Sequence, residues 1–237
     1  MGPDGEGTMV EMTDARKDAP RVLVGCPTYA GKEYCWQQYR DGLKAIAYPN
    51  KGILIVDNSK EDIFFEKMRT DVPVIKDVFQ ENPKDRIVQS RNILRRKVLD
   101  EGYEYFLSLE QDVVPPPDII ERLLAHGKEI VGAVVATIKV SPSGKNVVVP
   151  MLWHMRDDRI FFIPSQELMS KRLISIDVCS LSCLLIHRTV LQKVEFRYEQ
   201  GFDDMMFCRD AKEHGFDIFV DTAVQVKHYG RPMPNKA

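Results

Sequence analysis

The stretch that most constrains this chain runs from residue 103 to residue 117, YEYFLSLEQDVVPPP. Strand-forming residues (Tyr103, Tyr105, Phe106, Leu107, Leu109) give way abruptly to Glu110-Gln111-Asp112, then Val113, Val114 and three prolines. A buried strand that delivers two carboxylates at its end makes an expensive use of charge, because buried charge must be paired or coordinated. Ligands of open α/β sheets sit outside the carboxyl ends of the strands. The acidic triplet therefore marks an edge where a ligand or cation is expected.

The rest of the chain repeats the same unit. Residues 22–26 (VLVGC) form a short apolar run that stops at Pro27-Thr28-Tyr29, and a helix is expected over residues 32–47. Residues 53–56 (ILIV) form a second run closing on Asp57-Asn58-Ser59, before a helix over 60–69. A third strand is expected over 72–78. A basic amphipathic helix containing Ser90-Arg91-Asn92 then runs to residue 101, with Gly102 at its end. After the acidic triplet come a helix over 117–125 and a buried strand over 130–137. This alternation predicts a mainly parallel sheet with helices on both faces, and brings Thr28, Asp57 and the acidic triplet to one crevice.

Beyond residue 138 the pattern changes. Apolar segments at 147–149 and 160–163 flank Trp153, His154 and Arg156, and predict short antiparallel strands facing an acceptor. A long strand over 174–187, a short helix from Thr189, a helix from Met205 to His214 and a strand over 217–221 complete the expected elements. Residues 1–19 are polar and aperiodic and read as a disordered tail, leaving residues 20–237 as a single domain.

Composition excludes several classes. The 237 residues carry a formal net charge of -2, which gives no electrostatic case for nucleic acid or an anionic membrane. The longest apolar runs fall far short of the roughly 20 residues of a membrane span. The polar amino-terminal stretch lacks a signal-peptide pattern, so the expected location is cytoplasmic. The five cysteines form no zinc pattern and are expected as reduced, buried thiols.

The chemistry-bearing candidates follow. Alternate residues on an extended segment point the same way, so Glu110 and Asp112 are placed to face one site and to hold Mg2+ or Mn2+. Asp203-Asp204 precede a helix. One is expected as its N-cap and the other as a general base, although a helix amino-terminus lowers a carboxylate's pKa. His228 is a candidate to complete the metal site, although a lone histidine is more often a surface or capping residue. Arg91 is a candidate for phosphate or for the metal-binding acids, and Asp57 for a nucleobase or ribose.

Taken together, these segments resemble the GT-A glycosyltransferases, most closely the family 2-like group. VGCPTY over 24–29 resembles the first strand and nucleotide loop, placing Pro27, Thr28 and Tyr29 at the donor. IVDNS over 55–59 resembles the second strand, with Asp57 and Asn58 near the base. Ser90-Arg91-Asn92 resembles the segment packed at the donor site, and residues 106–112 take the place of the Asp-x-Asp strand. FDDMMFCR over 202–209 resembles the motif whose second acid is the base, and residues 226–230 resemble the terminal histidine segment.

The resemblance implies a GT-A fold and metal-dependent transfer of a sugar from a nucleoside diphosphate donor to a hydroxyl acceptor, carbohydrate or lipid-linked, with inversion. It implies that Asp112, His228 and Glu110 hold Mn2+ or Mg2+, that Arg91, Glu110, Gln111 and Asp112 line the donor site, and that Asp204, beside Asp203, removes the acceptor proton. A retaining enzyme of the same fold and a non-catalytic nucleotide-sugar-binding protein are the alternatives. Two departures stand out: Glu110 replaces the usual first Asp, and Leu181-Ser182 replace small residues at the acceptor pocket.

Overall fold

The strands β1 (Val22–Thr28), β2 (Lys51–Asp57) and β4 (Tyr105–Leu109) lie side by side and parallel, so their carboxyl ends share one edge. A short β3 (Val74–Lys76) extends the sheet beyond β2. The computed structural model describes residues 19–230 apart from 142, 158, 171 and 200, so the expected tail falls almost wholly outside the described residues.

Helices α1 (Trp36–Ala45), α2 (Ile63–Met68), α3 (Pro83–Asp100) and, after a two-residue strand β5 (Val113–Val114), α4 (Ile119–Leu124) connect these strands. The segment expected to open the first helix is instead a 3-10 turn over Ala30–Cys35, and the α-helix starts only at Trp36. In α3, Asn82 caps the amino-terminus by accepting from the Lys84 amide, and Pro83 stands where no amide donor is needed. Gly102, at φ +70, takes the left-handed conformation that ends this helix.

The second half holds β6 (Ile130–Val134), β7 (Ala136–Val140), β8 (Asn146–Pro150), β9 (Leu152–Arg156), β10 (Arg159–Phe162), α5 (Ser165–Leu168), β11 (Leu173–Ile176), β12 (Val178–Cys179) and β13 (Cys183–His187). It ends with α6 (Arg188–Lys193), α7 (Asp203–Glu213), β14 (Ile218–Gln225) and β15 (Lys227–His228). The main sheet has eight strands in the order β11-β14-β6-β13-β4-β1-β2-β3.

Two expectations are corrected. The single strand over 174–187 is three strands in two different sheets. β11 pairs with β14 and β13 fits between β4 and β6, both antiparallel, whereas β12 leaves the main sheet to pair with β9. The break falls at Asp177, whose carboxylate accepts from the Met155 amide at 2.8 Å and from Lys212. The strand over 130–137 likewise splits: β6 stays in the main sheet and β7 turns into a hairpin with β8.

Period-2 alternation divides the apolar side chains between two cores. Leu23, Phe106, Leu184 and Val220 face α3 and α7, packing with Leu94, Val98 and Phe207. Val22, Val24, Leu107 and Leu185 face α1 and α4, packing with Trp36, Tyr39, Leu43 and Ile120. The result is a mixed, mainly parallel sheet covered on both faces, the GT-A arrangement. All five cysteines are free and buried, as expected. No helix among the described residues is long and apolar enough to cross a membrane.

Candidate active site

Because Thr28 and Asp57 are direct partners in the β1–β2 register and β4 lies against the other side of β1, all three strand ends open onto one cleft. A cavity of about 340 Å³ lies there, within the usual range for small-molecule sites. Pro27, Thr28, Tyr29 and Lys32 form its β1 wall, and Asn58 and Glu110 close it from the neighbouring strands. Opposite stand Lys84, Arg86 and Ile87 of α3 together with Tyr198, Phe202 and Asp203. Lys84 donates to the Gly201 carbonyl at 3.1 Å and sits over the Tyr198 and Phe202 rings, which ties this wall together.

The expected donor residues divide into those that face this cavity and those that support it. Asp57 is fully buried, and its carboxylate is already engaged: Oδ1 accepts from the Ser59 amide and hydroxyl, and Oδ2 from Lys76 Nζ at 2.9 Å. Asn58 donates from Nδ2 to Ser90 Oγ at 3.1 Å, and Ser90 donates in turn to Asp77 at 2.8 Å. Gln111 is also internal. It accepts from the Thr28 hydroxyl and donates to the Lys32 carbonyl at 2.6 Å, which fixes the β1 loop against the acidic triplet.

Arg91 does not line the cavity. Only 1% exposed, it donates from Nε to Asp203 Oδ2 at 2.6 Å, from Nη2 to Glu110 Oε1 at 2.7 Å and from Nη1 to Ser108 Oγ at 3.1 Å. Burial pulls its pKa down, but the two carboxylates outweigh burial and raise it. The fork geometry of a guanidinium lets one buried side chain hold two acids from different elements.

Asp203 and Asp204 thus part company. The N-cap of α7 is Phe202, so neither acid caps the helix through its side chain, contrary to expectation. Asp203 is consumed by Arg91. Among the described residues Asp204 accepts only from the Met205 amide, at 2.8 Å. Burial, reinforced by the neighbouring Asp203 carboxylate, pushes its pKa up to about 6. The downward pull expected from the helix amino-terminus loses to desolvation and like charge. A partly buried carboxylate titrating near 6 suits a general base at neutral pH.

On the other side of the triplet, β15 pairs antiparallel with β5, setting His228 opposite Val113, and the Tyr229 amide donates to the Asp112 carbonyl at 2.7 Å. This small sheet carries His228 Nε2 to 3.6 Å from Asp112 Oδ2. The other ring nitrogen, Nδ1, lies 2.9 Å from the Ala136 carbonyl and is fixed as the donor, which leaves Nε2 facing the carboxylate. Lys32 donates to the same Oδ2 and lies 3.9 Å from Glu110 Oε2. Burial opposes the ionised form of Asp112, but His228 and Lys32 outweigh it and lower its pKa. The facing Asp112 carboxylate raises that of His228.

The residues fit a divalent cation in one respect. Among the described residues Asp112 Oδ1 is buried with no hydrogen-bond partner, and a carboxylate with one unpaired oxygen, whose other oxygen faces an imidazole of fixed tautomer, is a donor set suited to Mn2+. No group of three or more His, Cys, Asp or Glu side chains converges among the described residues, and Glu110 Oε1 is engaged by Arg91. Further positions would fall to donor oxygens and water.

Sequence reasoning missed Lys32, Lys84, Arg86, Tyr198 and Phe202. The only available signal was position: Lys32 follows the first strand, and Lys84 and Arg86 open the helix that faces the same edge.

No family model and no curated protein sequence matches the chain. Solved structures do. The mannosyltransferase PcManGT from Pyrobaculum calidifontis, in complex with GDP-Man and Mn2+, superposes with a TM-score of 0.56 at 14% identity, over 87% of this chain and 58% of that one. TarS 1-349 from S. aureus, in complex with UDP, gives 0.53 at 16% identity, over 84% of this chain and 57% of that one. A mycobacterial protein gives 0.56 at 14% identity, over 97% of this chain and 74% of that one. The chain thus shares its fold with a mannosyltransferase and spans a little over half the length of the PcManGT and TarS 1-349 chains.

Proposed function

We propose that this protein is a glycosyltransferase that moves a sugar from a nucleoside diphosphate donor to a hydroxyl acceptor with inversion. The observation that carries the reading is the division of labour between the two acids opening α7: Asp203 is neutralised by Arg91, and Asp204 keeps a free carboxylate with its pKa raised to about 6. The mannosyl donor and UDP bound by structures of this fold support the donor class.

In this reading the cleft at the carboxyl edge of β1, β2 and β4 takes the donor, with Asn58, Lys84 and Arg86 on its walls. Asp112 and His228 would hold Mn2+ or Mg2+, which would supply charge neutralisation for the leaving diphosphate. Asp204 accepts the proton of the acceptor hydroxyl as its oxygen bonds to the anomeric carbon. The bond from that carbon to the diphosphate breaks, and its electron pair leaves with the diphosphate. In-line attack inverts the anomeric centre, which NMR of the product's anomeric proton reads directly.

The test is the release of nucleoside diphosphate from a panel of UDP-, GDP- and dTDP-sugars with Mn2+. Asp112→Ala is expected to lose the metal-dependent release that the wild type shows. A mutant as active as the wild type with stoichiometric donor would remove Asp112 from the metal site.

A further inference from the structure

Where a divalent ion is expected, this chain already places a cation of its own. Lys32 lies 3.9 Å from Glu110 Oε2, donates to Asp112 Oδ2 and forms part of the donor cavity wall. The same carboxylate leaves Oδ1 buried and unpartnered. A carboxylate with one oxygen neutralised by a flexible ammonium and the other unsatisfied is poised between two arrangements. The Lys32 backbone is anchored, since its carbonyl accepts from Gln111 Nε2 at 2.6 Å, whereas the side chain that lines the cavity has four rotatable bonds through which the ammonium can be redirected.

We propose that Lys32 is a resident counter-cation that guards Asp112: it excludes a divalent ion from the donor-free protein and yields the carboxylate when a nucleoside diphosphate offers the ammonium a new anionic partner. The inference rests on the donor and metal reading above and adds to it an order of events and a positioning residue. In the free protein the ammonium and a divalent ion compete for one carboxylate, so metal affinity is held low. With a diphosphate in the cleft, the ammonium turns onto phosphate oxygens, the metal takes Asp112 and His228, and both cations face the leaving group. Ordered loading follows from like-charge competition at short range, which is strong where water is partly excluded.

The experiment is Mn2+ binding followed by the electron paramagnetic resonance signal of the free ion, without any sugar transfer. Lys32→Met is expected to bind Mn2+ in the absence of nucleotide at least about tenfold more tightly than the wild type. Lys32→Gln, which keeps a donor toward Asp112, is expected to gain in the same direction and serves if the Met variant does not fold. The wild type is expected to approach the affinity of the variants only when UDP or GDP is added.

Affinities of the wild type and both variants within twofold of each other without nucleotide would overturn the guarding role alone. A gain that survives in Lys32→Met/Asp112→Asn would place the ion elsewhere and overturn it as well. Absence of Mn2+ binding to every variant, with UDP or GDP present, would sink the metal reading and this inference with it.

Discussion

Arg91 Nε lies 2.6 Å from Asp203 Oδ2, so the first acid of the Asp203-Asp204 pair is neutralised inside the fold and the second is not. The same guanidinium holds Glu110 at 2.7 Å and thereby joins α3, β4 and the start of α7 at the edge of the cleft.

Removing that guanidinium leaves the buried Asp203 carboxylate and the partly buried Glu110 carboxylate without their shared cation. Arg91→Met is expected to destabilise the protein by about 3–5 kcal/mol, the cost of breaking a buried ion pair by deleting one partner. Adding Asp203→Asn and Glu110→Gln to the same chain should recover much of that loss. Urea unfolding of the three proteins reads the difference. A cost below about 1 kcal/mol for Arg91→Met alone would show that the triad carries little.

Asp204→Asn keeps an oxygen to accept from the Met205 amide and removes the base. Turnover is expected to fall by about 10²–10⁴-fold with donor affinity retained. The variant should also be more stable at pH 7. The folded protein holds Asp204 at about 6 against an ordinary 3.8, so ionising it costs the folded state about 2 kcal/mol after allowance for its partial exposure. That penalty is complete above pH 6 and vanishes below the ordinary value, so the gain in Tm should shrink as the pH is lowered toward 4. A variant that turns over at the wild-type rate would reassign the base.

The same residue sets the pH profile. Protonated Asp204 has no free charge with which to take the acceptor proton, so activity is expected to drop about tenfold per pH unit below about 6 and to level off above it. A profile flat down to pH 5 would show that Asp204 titrates at an ordinary carboxylate value or is not the base.

Much of this arrangement was legible in the sequence, because the relevant strands announce their own ends. VLVGC stops at Pro27-Thr28, ILIV at Asp57, and FLSL at Glu110, and the structure brings all three to one edge. The order of the strands was not legible. A strand buried on both faces carries no mark of direction, so nothing in residues 183–187 says that they run antiparallel between β4 and β6. Nor did local sequence separate Asp203 from Asp204, since the partner that neutralises the first lies in a helix far away in the chain. Asp57 is legible only in part: its place at a strand end pointed toward the donor, but nothing local shows that Lys76 and Ser59 engage its carboxylate. Lone cations at helix starts, such as Lys32 and Lys84, look like solvated surface until the fold places them in a cavity wall.

Close packing behind the site gives a further prediction. A Cβ on Gly25 of β1 would lie 2.5 Å from Phe106 Cε2 and 2.9 Å from Leu94 Cδ2, so α3 approaches the sheet closely because this position has no side chain. Gly25→Ala is expected to cost about 1–3 kcal/mol through overpacking. Chemical denaturation checks this, and a neutral result would show that the Phe106 and Leu94 side chains can give way.

The central claim is that the cleft at the carboxyl edge of β1, β2 and β4 binds a nucleoside diphosphate sugar through a metal held at Asp112. A thermal-shift screen of UDP-, GDP- and dTDP-sugars, with and without Mn2+, tests it most directly, since a ligand of the folded state raises Tm by mass action, about 2.7 kcal/mol at 100 times its Kd. The account predicts that at least one nucleoside class raises Tm by several degrees with Mn2+ present, and that Asp112→Asn abolishes the metal-dependent part. No shift with any of the three classes at millimolar concentration, with or without Mn2+, would contradict it.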